Sequence, residues 1–185
     1  MTNTSLPQAL TQAITLGGGC FWCTEAVFVR VKGVLDVESG YCNGHTLKPT
    51  YAEVCTGQTG HNEVVRLVYD PQVINLREVL EIFFVIHDPT TLNRQGNDAG
   101  TQYRSGIYLS NEADREVAQQ VLDEVNAAMS GRVVTELKTL DNYSAAEAYH
   151  QDYFEYNPDQ GYCAFVVAPK VQKFVKTFAD KVRHD

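Results

Sequence analysis

The sequence predicts a two-layer α+β sandwich around a mixed sheet, with Cys20 at the N-terminus of the first helix. Three observations carry the prediction. Of the 185 residues, 44% are hydrophobic and 21% charged, enough apolar side chain to build a sizeable core without staples. Segments of strand-like and helix-like apolar rhythm alternate along the chain without the strict βαβ period of a doubly wound sheet. No internal repeat, linker or low-complexity stretch divides it, so residues 1–185 read as one domain, with a core over about 12–168 and a C-terminal helix over about 170–183.

Residues 12–16 (QAITL) form a short strand running into the glycines at 17–19, and Ala26, Val27, Phe28 and Val31 then set a helical rhythm from Thr24. Residues 34–41 read as strand, and 43–62, punctuated by Gly44, Pro49, Gly57 and Gly60, as irregular chain. A strand from Glu63 to Tyr69 closes at Asp70-Pro71. Asn75 with Glu78 forms a capping box for a helix whose buried stripe is Leu76, Val79, Leu80 and Phe83. Residues 88–103 are polar and aperiodic, a connection long enough to suggest function. Beyond it come a strand over 104–109, a helix over 111–129 carrying Val117, Val121, Val125 and Met129 on one face, and a strand over 133–137. Ser144 with Glu147 reads as the cap of a helix through Tyr156, and the end as a strand from Gly161 followed by an amphipathic helix with Val171, Phe174, Val175 and Phe178.

A formal net charge of −8 without a compensating basic patch sets the overall field against nucleic acid. The N-terminus lacks the basic start and apolar run of a signal peptide, and no segment reaches membrane-spanning length, so the expected location is the cytoplasm, with no membrane partner. Five cysteines, at 20, 23, 42, 55 and 163, are an odd number in a chain too long to need disulfides. In a reducing compartment such cysteines are core filling, metal ligands or redox groups.

The stretch GGGCFWC, residues 17–23, singles out Cys20. Glycines permit a tight turn and close backbone approach, and a helix start favours the thiolate through its unpaired N–H groups. Phe21 and Trp22 could wall an apolar pocket beside the sulfur. The plainer alternative is that Cys20 and Cys23 are small buried hydrophobes. As a C-x-x-C they could instead be a dithiol redox pair or half of a zinc site. The other cysteines are isolated and His45 and His61 form no knuckle with them, so the second ligand pair a structural zinc would need is missing and no metal is expected.

Four stretches together, GGGCFWCTEAVF, TYAEVCTGQTGHNEVVRLVYDP, HDPTTLNRQGNDAGTQYRSGIY and AYHQDYFEYNPDQGYC, resemble the A-type peptide methionine sulfoxide reductases over roughly residues 14–167. The resemblance implies an α+β domain that reduces the S epimer of methionine sulfoxide, free or in proteins, at a nucleophilic cysteine. By motif that cysteine is Cys20, with Phe21 and Trp22 receiving the substrate methyl group and Glu63, in GHNEVV, as the acid. Tyr51 and Tyr103 fall where the family keeps hydroxyl donors, and Asp98 at a further polar site position. The resemblance also implies recycling by an intramolecular disulfide and external thioredoxin, with no bound cofactor.

The chemistry is coherent with that casting. A sulfoxide sulfur becomes electrophilic when charge building on its oxygen is neutralised, which calls for an acid and hydrogen-bond donors. Glu63 in a partly apolar pocket would have the raised pKa this requires. Judged by residue type alone, Glu63 reads as a solvent-facing residue at a strand start, Tyr51 and Tyr103 as core or rim tyrosines, and Asp98 as a turn former. His61, His87 and His150 read as structural, Cys55 as core filling in a strand-like TYAEVC run, and Cys42 has no assigned role.

For the recycling step, Cys163 stands where many family members keep a resolving cysteine, here expected on a mobile segment after Asn157-Pro158. Cys23 is the alternative partner, since residues three apart on a helix are neighbours. Against it stands the narrow geometry of a disulfide. The competing function is a general dithiol-disulfide oxidoreductase using Cys20 and Cys23.

Overall fold

The computed structural model describes residues 10–184. Residues 1–9, read above for a targeting signal, and Asp185 lie outside the described residues. The strands are β1 (Gln12–Gly17), β2 (Val34–Cys42), β3 (Asn62–Tyr69), β4 (Arg94–Gln95), β5 (Asp98–Ala99), β6 (Gly106–Leu109), β7 (Glu136–Thr139) and β8 (Ser144–Ala145). Six of them form one sheet in the order β7-β6-β1-β3-β2-β8, antiparallel throughout except for the β6–β7 pair, while β4 and β5 make a small separate ribbon. The expected mixed sheet is therefore present.

Register decides which face is buried. Pairing of β1 with β3 sets Ile14 opposite Leu67 and Leu16 opposite Val65, and pairing with β6 sets the same residues opposite Leu109 and Ile107. Alternation sends this whole row to one face. It joins one core with Val27 and Phe28 of α1 (Phe21–Phe28), Leu80 and Phe83 of α3 (Leu76–Ile86), Val121 of α4 (Arg115–Ala128) and Phe174 of α6 (Ala168–Thr177). Each fully buried Phe here contributes about 1.5–3 kcal/mol. On the opposite face the buried hydrophobic cluster is Val64, Tyr108 and Cys42, with Leu140 and Tyr143 packed against it, so Cys42 fills a satellite core separate from the one that holds Cys20.

The capping box of Asn75 and Glu78 starts α3 as predicted, with both reciprocal bonds made. Elsewhere the structure corrects the expectations. TYAEVC is not strand-like but a helix, α2 (Tyr51–Cys55), started by a Thr50–Glu53 capping box, and its Cys55 is exposed rather than core filling. The capping pattern T-x-x-E outweighs the β propensity of Tyr and Val.

Ser144 does not cap a helix. It lies in β8, whose Ala145 pairs with Gly40, and Glu147 accepts from the Tyr41 hydroxyl and the Tyr51 backbone instead. The helix in this region is only α5 (Tyr153–Tyr156), entered through a left-handed Asp152 at φ 54°. The segment from Gly161 is no strand either. Cys163–Val167 form a π-helical turn that continues into α6, held by the Cys163 N–H on Gln160 Oε1 and the Ala164 N–H on the Gln160 carbonyl. A short apolar run cannot by period alone be told from buried helix. Along α6, Phe174 is buried while Val175 is 41% exposed, which narrows the predicted stripe.

Candidate active site

The glycine run is explained by its neighbours. A Cβ on Gly17 would meet Asn62 Nδ2 at 2.3 Å. Gly19, at φ +94°, has Gln95 Cγ 2.6 Å from where its Cβ would stand. Only glycine takes that backbone without strain in that space. Gln95 belongs to the long polar connection, where its side chain brackets the backbone of Asp88, accepting from the N–H and donating to the carbonyl at 2.9 Å each. The 88–103 segment is thus folded against the cysteine turn.

Cys20 is the N-cap of α1, where the nearby Trp22 N–H favours the thiolate without closing a cap hydrogen bond on the sulfur. Burial opposes this and wins, aided by the charges of Glu63 and Cys23, so the Cys20 thiol is pushed well above its ordinary value. Burial thus outweighs the help that the helix start gives the thiolate.

Glu63, at the head of β3, is 1% exposed rather than solvent-facing. Its Oε1 accepts from the Phe21 N–H at 3.3 Å, while Oε2 is buried without a hydrogen-bond partner. Burial, against that N–H and with the nearby Asp98 charge, raises its carboxyl to about 8. A carboxylic acid is thereby kept protonated near neutrality beside a thiol.

An aromatic wall stands on one side. The Phe21 ring lies 5.7 Å from Tyr41, 6.4 Å from Tyr51 and 5.1 Å from His150. The indole of Trp22 stacks on Tyr153 at 3.8 Å and 6°, and its Nε1–H donates to His150 Nδ1 at 3.1 Å. Tyr51, first residue of α2, and Tyr103, in a 3-10 turn at Thr101–Tyr103, both have hydroxyls held above the ordinary tyrosine value by burial first, with Glu63 adding in each case. They are donors at any physiological pH.

On the other side Tyr162 donates to Asp98 Oδ2 at 2.5 Å and lies 3.9 Å from Cys23 Sγ. Its hydroxyl is held far above its ordinary value by burial and by the charges of Cys20, Cys23 and Asp98. Cys163, fully buried on the π-helical turn, is within electrostatic reach of Cys23, which is itself within reach of Cys20. All five cysteines are unpaired. Among the described residues no group of three or more His, Cys, Asp or Glu could hold a metal ion, and no helix is long and apolar enough to cross a membrane.

The family model described as peptide methionine sulfoxide reductase matches residues 12–182. The peptide methionine sulfoxide reductase MsrA of Saccharolobus solfataricus is 55% identical over 172 residues, covering 93% of this chain and 97% of that protein. The chain belongs to the peptide methionine sulfoxide reductase family. The MsrA of Sulfolobus acidocaldarius is 52% identical over 92% of this chain and 97% of its own length. Among solved structures, reduced Mxr1 from Saccharomyces cerevisiae superposes with a TM-score of 0.79 at 36% identity, covering 88% of this chain and 95% of that one. Mxr1 has also been solved in complex with Trx2, and that chain gives a TM-score of 0.56 at 27% identity over 82% of this chain and 91% of that one.

As a member of this family the chain is an oxidoreductase that reduces methionine sulfoxide to methionine through a redox-active cysteine. The fold brings Cys20, Glu63, Phe21, Trp22, Tyr51 and Tyr103 to one place, and Asp98 joins them through Tyr162. Two residues of the cluster were not singled out from sequence. His150, read there as structural, is the acceptor for the only tryptophan, and Tyr162 bridges Asp98 and Cys23. Both lie inside the AYHQDYFEYNPDQGYC stretch, where several aromatics in a row gave no spacing by which to choose.

Proposed function

We propose that this chain reduces the S epimer of methionine sulfoxide, free or in proteins, with Cys20 as nucleophile and Glu63 as acid, and that thioredoxin returns it to the reduced state. Phe21 and Trp22 receive the sulfur-bound methyl group, Tyr51 and Tyr103 donate toward the sulfoxide oxygen, and Asp98 fixes the Tyr162 hydroxyl. The observation that carries this reading is Glu63, buried with one unpartnered oxygen near a buried thiol, where burial raises its carboxyl to about 8. Cytoplasmic residence, where a dithiol reductant is available, completes the proposal.

In the proposed step, Cys20 sulfur attacks the sulfoxide sulfur as the oxygen takes the Glu63 proton, and the resulting carboxylate accepts the proton the thiol gives up. The sulfur–sulfur bond and the substrate S–O bond then break as methionine leaves and the hydroxyl is transferred to the Cys20 sulfur, so sulfoxide and thiol become methionine and a Cys20 sulfenic acid. A second thiol condenses with it, releasing water and forming a disulfide, which an external dithiol reduces by exchange. Cys163 is the proposed resolving cysteine. A second reading is favoured by the placement of Cys23 within reach of both partners: Cys23 takes the sulfenic acid first and passes the bridge to Cys163.

The test is thioredoxin-coupled NADPH oxidation with each epimer separately, beside an insulin-reduction assay. Turnover of the S epimer alone, abolished in Cys20→Ser, is the expected result, because a serine hydroxyl is too weakly acidic to replace the thiol. Near-wild-type turnover by Cys20→Ser contradicts the reading, and insulin reduction without sulfoxide turnover would favour a general dithiol oxidoreductase.

A further inference from the structure

The wall around Trp22 rests on a residue that the reaction itself does not use. Glu25 lies one turn along α1 from Trp22 and is 2% exposed, a carboxyl placed among the core residues of that helix. Burying a carboxyl is costly unless donors satisfy it. Its hydrogen-bond donor is the Ser39 hydroxyl, 3.1 Å from Oε2, and the backbone amides of Asp152 and Tyr153 are near enough to favour the carboxylate. Burial nevertheless raises it to about 7, so these groups offset the cost only in part.

Those two amides belong to the segment that holds the indole. Tyr153 supplies the ring stacked on Trp22, and His150 supplies the nitrogen that accepts its N–H. Regular structure does little to fix this segment: Asp152 is left-handed, and the four-residue α5 has no side-chain cap. It is stapled to Ser39 on one side, where the Gln151 amide bonds the Ser39 N–H and carbonyl at 2.9 Å each. Glu25 holds Ser39 in turn through the Ser39 hydroxyl, so the buried carboxyl backs this staple.

We propose that Glu25 is a positioning residue for substrate capture: by fixing Ser39, which clamps Gln151, it makes the neighbouring Tyr153 and His150 hold Trp22 in a single orientation. The inference rests on the reading that Trp22 walls the substrate site. A loosened wall weakens the binding of sulfoxide while leaving the sulfur chemistry at Cys20 and Glu63 intact. Because Trp22 is the sole tryptophan, its fluorescence reports the wall directly.

The experiment compares wild type, Glu25→Gln and Trp22→Ala by single-turnover methionine formation over a range of peptide methionine sulfoxide, with acrylamide quenching of tryptophan fluorescence for the first two. For Glu25→Gln the expected result is a half-saturating concentration raised about tenfold, a saturated rate within about twofold of wild type, and increased quenching. Unchanged half-saturation and quenching in Glu25→Gln, with Trp22→Ala impaired, overturns the role of Glu25 and leaves the wall reading intact. Normal capture by Trp22→Ala overturns the wall reading itself. Lower stability with unaltered quenching and capture marks Glu25 as merely structural and also overturns the proposal. Should Glu25→Gln fail to fold, Ser39→Ala removes one donor to the carboxylate and must show the same signature at about two- to threefold. Wild-type values for Ser39→Ala would then count against the anchor.

Discussion

Cys20 and Cys23 sit one helical turn apart on α1, yet they face different chemistry. Around Cys20 are the raised carboxyl of Glu63 and an aromatic wall, and burial above all keeps the sulfur a thiol. Burial raises the Cys23 thiol as well, opposed by the charge of Lys170 and by the Tyr162 hydroxyl, and the buried Cys163 stands near it. The first setting can supply a proton to an oxygen, and the second lies beside a third thiol. The C-x-x-C spacing, which looks like a symmetric dithiol pair, is asymmetric in environment because each residue inherits the groups that other elements bring to it.

Variants that touch one side only are the means to break this division. Cys163→Ser has the largest expected effect: one stoichiometric round of methionine formation followed by loss of thioredoxin-driven turnover, measured by comparing burst amplitude with the steady state. Cys23→Ser is expected to keep most of both. Normal cycling by Cys163→Ser together with arrest of Cys23→Ser would assign resolution to Cys23. Next, Glu63→Gln keeps the shape of the site and removes its proton, and should slow single-turnover methionine release by about a hundredfold or more. An unchanged rate would transfer the acid role to Tyr51, Tyr103 or water.

The pH dependence sharpens the same point. Glu63 must be protonated to donate, and burial has raised it to about 8. The reductive step should therefore hold its rate below that pH and fall about tenfold per unit above it, a descent that Glu63→Gln loses. In stability the sign is the same: a carboxyl whose folded value is raised favours the fold most below its ordinary value of 4.5 and loses that contribution as pH rises to about 8. The smallest effect belongs to Lys170→Gln, which removes a charge that reaches Cys23: it should leave methionine release unchanged, and a slowing of disulfide formation by about two- to fivefold would show that Cys23 takes the sulfenic acid before Cys163. A slower release instead would show that the two sides are not separable.

Much of this was legible in the chain. The strands about Ile14, Leu67 and Leu109 follow from alternation, and α3 from its Asn75–Glu78 box, because those signals are local. The glycine turn before Cys20 was readable for the same reason. What local pattern could not supply was the course of 144–167, where β2 draws Ser144 and Ala145 into the sheet and Gln160 turns the chain into a π-helical start for α6. Those are tertiary contacts that override propensity. Residues whose roles depend on that course, His150 and Tyr162, were hidden with it. The resting protonation of Cys20 was also beyond sequence, since the helix start is visible in it and the depth of burial is not.

The most direct test of the account is chemical trapping of the first intermediate. In a Cys23→Ser/Cys163→Ser variant, one equivalent of S-epimer peptide methionine sulfoxide is added in the presence of dimedone, methionine is quantified, and the protein is mapped by mass spectrometry. The account predicts about one methionine per enzyme, as a single thiol can reduce one sulfoxide, with the label on Cys20 alone. Equivalent methionine with the label on another cysteine, or no methionine from a folded enzyme, would contradict it.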